Sequence, residues 1–325
     1  MIYLHHTIFL LIICAFSFGV EIEQLPSPRS LCGEGPHWDQ ATQSLYYIDI
    51  EGPEATILRY DYGENKTYGA TVENVPLMTF VLPIENSIDE FLVGGQHTAS
   101  VISWDGKSSK GEFVRNAFEV ETDKYYDTNR FNDAKCDAAG RFYGGTQRKG
   151  SCGGPFTDVA NASFYTFDHE NGVKQLKQNV LISNGLTWVG DKFYYIDSCT
   201  HDIKEYDYNS VNGELSNERI IFTLRENGKV PEYIFDGMTS DVDGNLFIAT
   251  YDDYKVMKIN PKSGELLAEY KLPTGQVTSV AFGGPNLDIL FVTTASRRTQ
   301  QPEAGHLYKI TGLETRGTSG VKVKL

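Results

Sequence analysis

The sequence predicts an all-β protein, a six-bladed β-propeller. Three observations carry the prediction. Helical periodicity is nearly absent, and short runs rich in Tyr, Phe, Ile and Val take its place, among them SLYYIDI, KFYYID, NLFIAT and ILFVTT. Turn chemistry separates the runs: GENK, DAAG, HENG, SVNG, DVDG and PKSG. The runs also repeat at a long interval. Asn132, Asn184 and Asp236 each precede a turn and an aromatic strand, at intervals of 52 residues, and Glu34 precedes Asn132 by 98, about twice 49. A period near 50 fits a propeller blade of four strands. PLMTFVLP (76–83) and QVTSVAFGG (276–284) supply the two remaining units. Radial repetition leaves only short, protected sheet edges.

The first 19 residues carry no Lys, Arg, Asp or Glu, and an apolar run from Ile8 to Phe16 ends at the small residues Ser17 and Gly19. This pattern predicts a secretory signal peptide over 1–19 and a single propeller domain over 20–325, extracellular and free of the membrane after cleavage. The chain keeps a net charge of −14, with no basic cluster to offset it. Such a surface repels phosphate backbones, so nucleic acid is not expected as a partner. Cys32, Cys136, Cys152 and Cys199 remain after the leader, an even number with three possible pairings. Asn65-Lys66-Thr67 and Asn161-Ala162-Ser163 are acceptors for N-glycosylation in a secreted chain.

The repeat carries the chemistry. One equivalent residue per blade forms a ring at the channel mouth, and here that ring holds Glu34, Asn132, Asn184 and Asp236. Any one of these alone reads as a turn or cap residue. Four oxygen-bearing side chains in register point instead to a site for one hard divalent cation: Ca²⁺, Mg²⁺ or Mn²⁺. A cation with an open position polarises a carbonyl and acidifies bound water. Asp236 is the candidate base. Competing motifs fall away. GEGPHW has Trp38 where a dinucleotide loop needs glycine, no G-x-S-x-G elbow exists, and Cys199-x-His201 lacks a second zinc pair. DVDG looks like a calcium loop, but the sixth and twelfth places from Asp241 are Leu246 and Asp252. It is expected to be a hairpin turn.

At GEGPHWD, NRFNDAKCDAAGRFYGGT, ISNGLTW, FDGMTSDVDGNLFIATY and QPEAGHLYKITGL the chain resembles the regucalcin, gluconolactonase and luciferin-regenerating enzyme family, over residues 33–313. The resemblance implies a metal held by Glu34, Asn184 and Asp236, with Ca²⁺ first and Zn²⁺, Mn²⁺ or Mg²⁺ as alternatives. It implies substrate contacts at Arg130 and Asn132, with Asp133 beside them, and hydrolysis of a small lactone. A calcium-binding protein without turnover, or an organophosphate or aryl-ester hydrolase, are the alternatives. Ala134 departs from the family's usual glycine. The segment QRKGSCGGPFTD (147–158) offers no clear acidic substrate contact, and Cys152 within it is a candidate disulfide staple.

Overall fold

Alternating polar and aromatic residues separated by Gly, Asn and Asp turns fold here as consecutive antiparallel hairpins. The structure, a computed structural model, describes residues 19–150, 152, 159–225 and 227–325. The predicted leader lies almost wholly outside these residues. Among the described residues there is no α-helix, only two single-turn 3₁₀ segments, Lys124–Tyr126 and Ser198–Thr200. None is long and apolar enough to cross a membrane.

The strands form four sheets of four and one of eight, in a propeller arrangement. The sheet of eight is two four-stranded meanders joined edge to edge by a two-residue parallel pairing, Thr71 with Lys110 and Val72 with Gly111. The innermost strands are Gly33–Asp39, Val81–Pro83, Asn129–Cys136, Ser183–Val189, Ile234–Ser240 and Val277–Gly283. Neighbouring innermost strands pack on one another around the channel. Aromatic residues fill the space between sheets. Phe80 and Phe118 both meet Phe131 and Phe142, and Trp38 stacks on Phe291 at 5.3 Å. DVDG is a turn: Asp241 accepts from the N–H of Asn245, and the turn joins Ile234–Ser240 to Leu246–Tyr251.

Two closures were not visible along the chain. Glu21–Gln24 pairs with Tyr308–Thr311, so the N-terminal strand completes the last sheet. The C-terminal segment packs on two innermost strands, where Gly320 N–H donates to Trp38 O and Val323 N–H to Pro83 O. Cys152 and Cys199 form a disulfide, while Cys32 and Cys136 are free and buried. Of the two glycosylation acceptors, Asn65 is exposed on a turn. Asn161 is only 5% exposed.

Candidate metal centre

Each ring residue sits at or beside a register slip in its innermost strand. Two residues stand opposite one on the partner strand between Glu34 and His37, Phe131 and Ala134, Ser183 and Leu186, and Phe235 and Met238. A bulge breaks the period-2 alternation and re-aims a side chain. Glu34, Asn132, Asn184 and Asp236 accordingly line one cavity of about 80 Å³ together with Arg130, and all four ring residues are less than a tenth exposed. The glycines that follow Asn184 and Asp236 let neighbouring strands close in. A Cβ at Gly185 would lie 2.6 Å from Asp236 O, and one at Gly237 only 1.9 Å from Ser279 Oγ.

The four side chains are oriented differently. Glu34 Oε2 accepts from Gly35 N–H at 3.0 Å. Asn132 donates through Nδ2 to Ser183 O at 2.8 Å, and its Oδ1 accepts from Arg130 Nη1 at 2.8 Å. Its oxygen is thus already engaged by the guanidinium. Asn184 donates to Ser198 Oγ at 3.0 Å. Asn184 Oδ1 and Asp236 Oδ1 are buried and have no hydrogen-bond partner. Unpaired buried acceptors are expensive unless a cation or water meets them.

The electrostatics agree. Burial, then the neighbouring Asp133, pushes the Glu34 carboxyl up to about 8. Burial, then Glu34, pushes Asp236 well above the usual carboxylate range. Two carboxylates and an amide oxygen match the donor set of a hard divalent cation, and Glu34, Asn184 and Asp236 are the residues that could hold it. No cluster of three or more His, Cys, Asp or Glu that could hold a metal exists among the described residues. A cation here therefore depends on the amide as its third ligand.

Asp133 is near enough to act on Glu34 and Asp236 but does not line their cavity. It occupies the bulge place that is glycine in the Asn184 and Asp236 strands, and it lines a separate cavity of about 410 Å³ with His37 and Lys135. Its Oδ1 accepts from Ala134 N–H at 2.8 Å. Arg130 and Asn132 line the first cavity and Asp133 does not, because one step along the strand turns the side chain to its other face. Sequence reasoning also missed cavity residues. Gln147, Tyr251 and Arg297 line the site, and Arg297 pairs with Glu51. Arg297 lies on the connection after Ile289–Thr294, outside the repeated sequence motif, so periodicity could not reveal it. Cys32 lines the same cavity, and burial pushes its thiol up to about 12, which favours the neutral thiol. A larger cavity of about 860 Å³ borders the site and shares Arg130, Gln147, Ile182 and Arg297 with it.

Known proteins resemble this chain over nearly its whole length. Regucalcin of Bos taurus is 32% identical over 307 residues, covering 92% of this chain and 97% of that protein. A luciferin-regenerating enzyme structure is 35% identical, with a TM-score of 0.85 over 94% of this chain and 100% of that one. A structure described as a calcium-binding protein, regucalcin, from Agrobacterium tumefaciens shares the fold at 20% identity, with a TM-score of 0.76 over 92% of this chain and 95% of that one. The family model for the SMP-30/gluconolactonase/LRE-like region matches residues 32–296. The chain belongs to the SMP-30/gluconolactonase/LRE-like family.

Proposed function

We propose that this protein is a secreted, metal-dependent hydrolase of small lactones, a six-bladed propeller whose divalent cation, Ca²⁺ by preference, is held by Glu34, Asn184 and Asp236. The observation that carries the reading is the pair of buried, unpartnered oxygens, Asn184 Oδ1 and Asp236 Oδ1, in one cavity with Glu34. The six four-stranded meanders support the blade count. When bound, the cation polarises the lactone carbonyl and lowers the pKa of water.

The chain's own residues do the rest. Arg130, held by its bonds to Asn132 Oδ1 and Phe131 O, offers its remaining N–H groups to substrate oxygens. A guanidinium placed there stabilises charge that develops on the carbonyl oxygen. The Asp236 carboxylate takes a proton from the attacking water as the new C–O bond forms. The ring C–O bond then breaks, and the proton passes to the departing alkoxide, leaving a hydroxy acid.

The test is hydrolysis of gluconolactone by the metal-stripped protein, then with Ca²⁺, Mg²⁺, Mn²⁺ or Zn²⁺ restored. Activity is expected only with metal and is expected to vanish in Asp236→Asn. Activity indifferent to chelation and to that substitution refutes the mechanism. Tight metal binding without turnover of lactones or aryl esters replaces it with a calcium-binding role, the description carried by the Agrobacterium tumefaciens relative.

A further inference from the structure

We infer that Ser198, on a turn tethered by the Cys152–Cys199 disulfide, is the positioning residue that presents the carbonyl oxygen of Asn184 to the cation. The inference rests on the metal reading above. A carboxamide has two ends of nearly equal size, and only the oxygen can ligate a cation. Something must therefore decide which end faces the cavity. Ser198 Oγ accepts from Asn184 Nδ2 at 3.0 Å, which fixes the amino end, itself within reach of the Asp236 carboxylate, and leaves Oδ1 unpartnered. Ser198 is fully buried, so no bulk water competes for that bond.

The other meanders show why a serine stands here. Gly33, Ser183 and Phe235 each precede a ring residue, and they pair with Asp49, Asp197 and Thr250. The residue after each partner is Ile50, Ser198 and Tyr251 in turn. Ile50 and Tyr251 belong to the meanders whose ring residue is a carboxylate, Glu34 or Asp236. A carboxylate presents oxygen from either end and needs no orienting acceptor. The short hydroxyl occurs in the meander whose amide no guanidinium turns, whereas Asn132 is held by Arg130.

The turn that carries Ser198 is fixed from several sides. Ser198 N–H donates to Ile182 O at 3.1 Å, and the Asp197 carboxylate accepts from the N–H groups of Leu181 and Ile182 at 3.0 Å each. These bonds staple the Ser198–Thr200 turn to the start of the strand that bears Asn184. His201 ends the turn in the left-handed conformation, φ 58°. Cys199, adjacent to Ser198, ties it to Cys152, 47 residues away. Outer partners of this kind typically change metal affinity by about 10–100-fold when removed.

The experiment is a calorimetric Ca²⁺ titration of the metal-stripped full chain, expressed with its disulfide intact. Ser198→Ala is expected to weaken Ca²⁺ binding by about 10–100-fold while the metal-free melting temperature stays near that of the parent. Ser198→Cys, which fills the space with a poor acceptor, serves if the alanine variant does not fold. The deciding arm is Asn184→Asp, which has no amide end to misorient. In that background Ser198→Ala is expected to lose most of its penalty. An unchanged affinity in Ser198→Ala overturns the inference, as does an equal penalty in both backgrounds, which marks a purely structural role. Cys152→Ser with Cys199→Ser is expected to weaken binding by less than Ser198→Ala, and no change removes the disulfide from the scheme. A parent chain that binds no divalent cation overturns this inference and the metal reading together, whereas a parent that binds while Ser198→Ala binds equally well overturns this one alone.

Discussion

Replacing Glu34 by Gln should stabilise the metal-free protein and weaken the metal-loaded one. Glu34 is 8% exposed, and its carboxyl titrates near 8 rather than 4.5, chiefly because of burial and then of Asp133. The folded chain therefore holds a proton that the unfolded chain releases. Stability from this group is fully present below the ordinary value of 4.5 and is lost as pH rises toward about 8. Each pH unit in that window costs about 1.4 kcal/mol, so Glu34 forfeits roughly 3 kcal/mol at pH 7. Gln keeps an oxygen for Gly35 N–H and has no proton to manage. For a chain of this size, roughly 3 kcal/mol corresponds to a gain of about 5 °C in Tm. The gain should be near zero at pH 4.5 and grow to a plateau above pH 8. Saturating Ca²⁺ reverses the order, because a ligand at about a thousand times its Kd adds ~4 kcal/mol to a parent that retains all its ligands. Calorimetric melts of both proteins from pH 4.5 to 9, with chelator and with Ca²⁺, measure each term. A chelated Glu34→Gln protein that melts at or below the parent at pH 8 refutes the buried-carboxylate reasoning, and equal stabilisation of both by Ca²⁺ removes Glu34 from the ligand set.

Calcium binding should release protons and tighten as pH rises toward 8, since the cation displaces the proton held by the Glu34 and Asp236 pair; titrations in buffers of different ionisation enthalpy count those protons. Gly237→Ala should destabilise by about 3 kcal/mol or more, read by denaturant midpoint, because its Cβ would fall 1.9 Å from Ser279 Oγ. Arg130→Ala should lower kcat/KM by about 100-fold while leaving Ca²⁺ affinity within a few-fold, because the guanidinium engages Asn132 rather than the unpartnered oxygens; turnover and titration on the same preparation separate the two. Peptide mapping of the chain expressed through a secretory pathway should find glycan at Asn65 and none at Asn161, as their exposure dictates.

Much of this protein is written in its sequence because its fold is a local pattern repeated. Each strand pairs mainly with the next one along, so turn residues and aromatic runs suffice to mark the hairpins. The 52-residue intervals align Asn132, Asn184 and Asp236 before any coordinate is known, and the family motifs agree with that alignment. What the repeat cannot encode is whatever joins residues far apart or breaks the pattern. The pairing of Glu21–Gln24 with Tyr308–Thr311 spans almost the whole chain. Arg297 reaches the cavity from the connection after Ile289–Thr294, outside the repeated sequence motif. The choice of Cys152–Cys199 among three pairings depended on which cysteines the folded chain leaves buried and apart. The bulges decided the rest: a single slipped residue separates Asn132, at the candidate metal centre, from Asp133 in another cavity. Side-chain direction at a bulge is set by the hydrogen-bond register of the paired strands, and register exists only once the sheets have assembled.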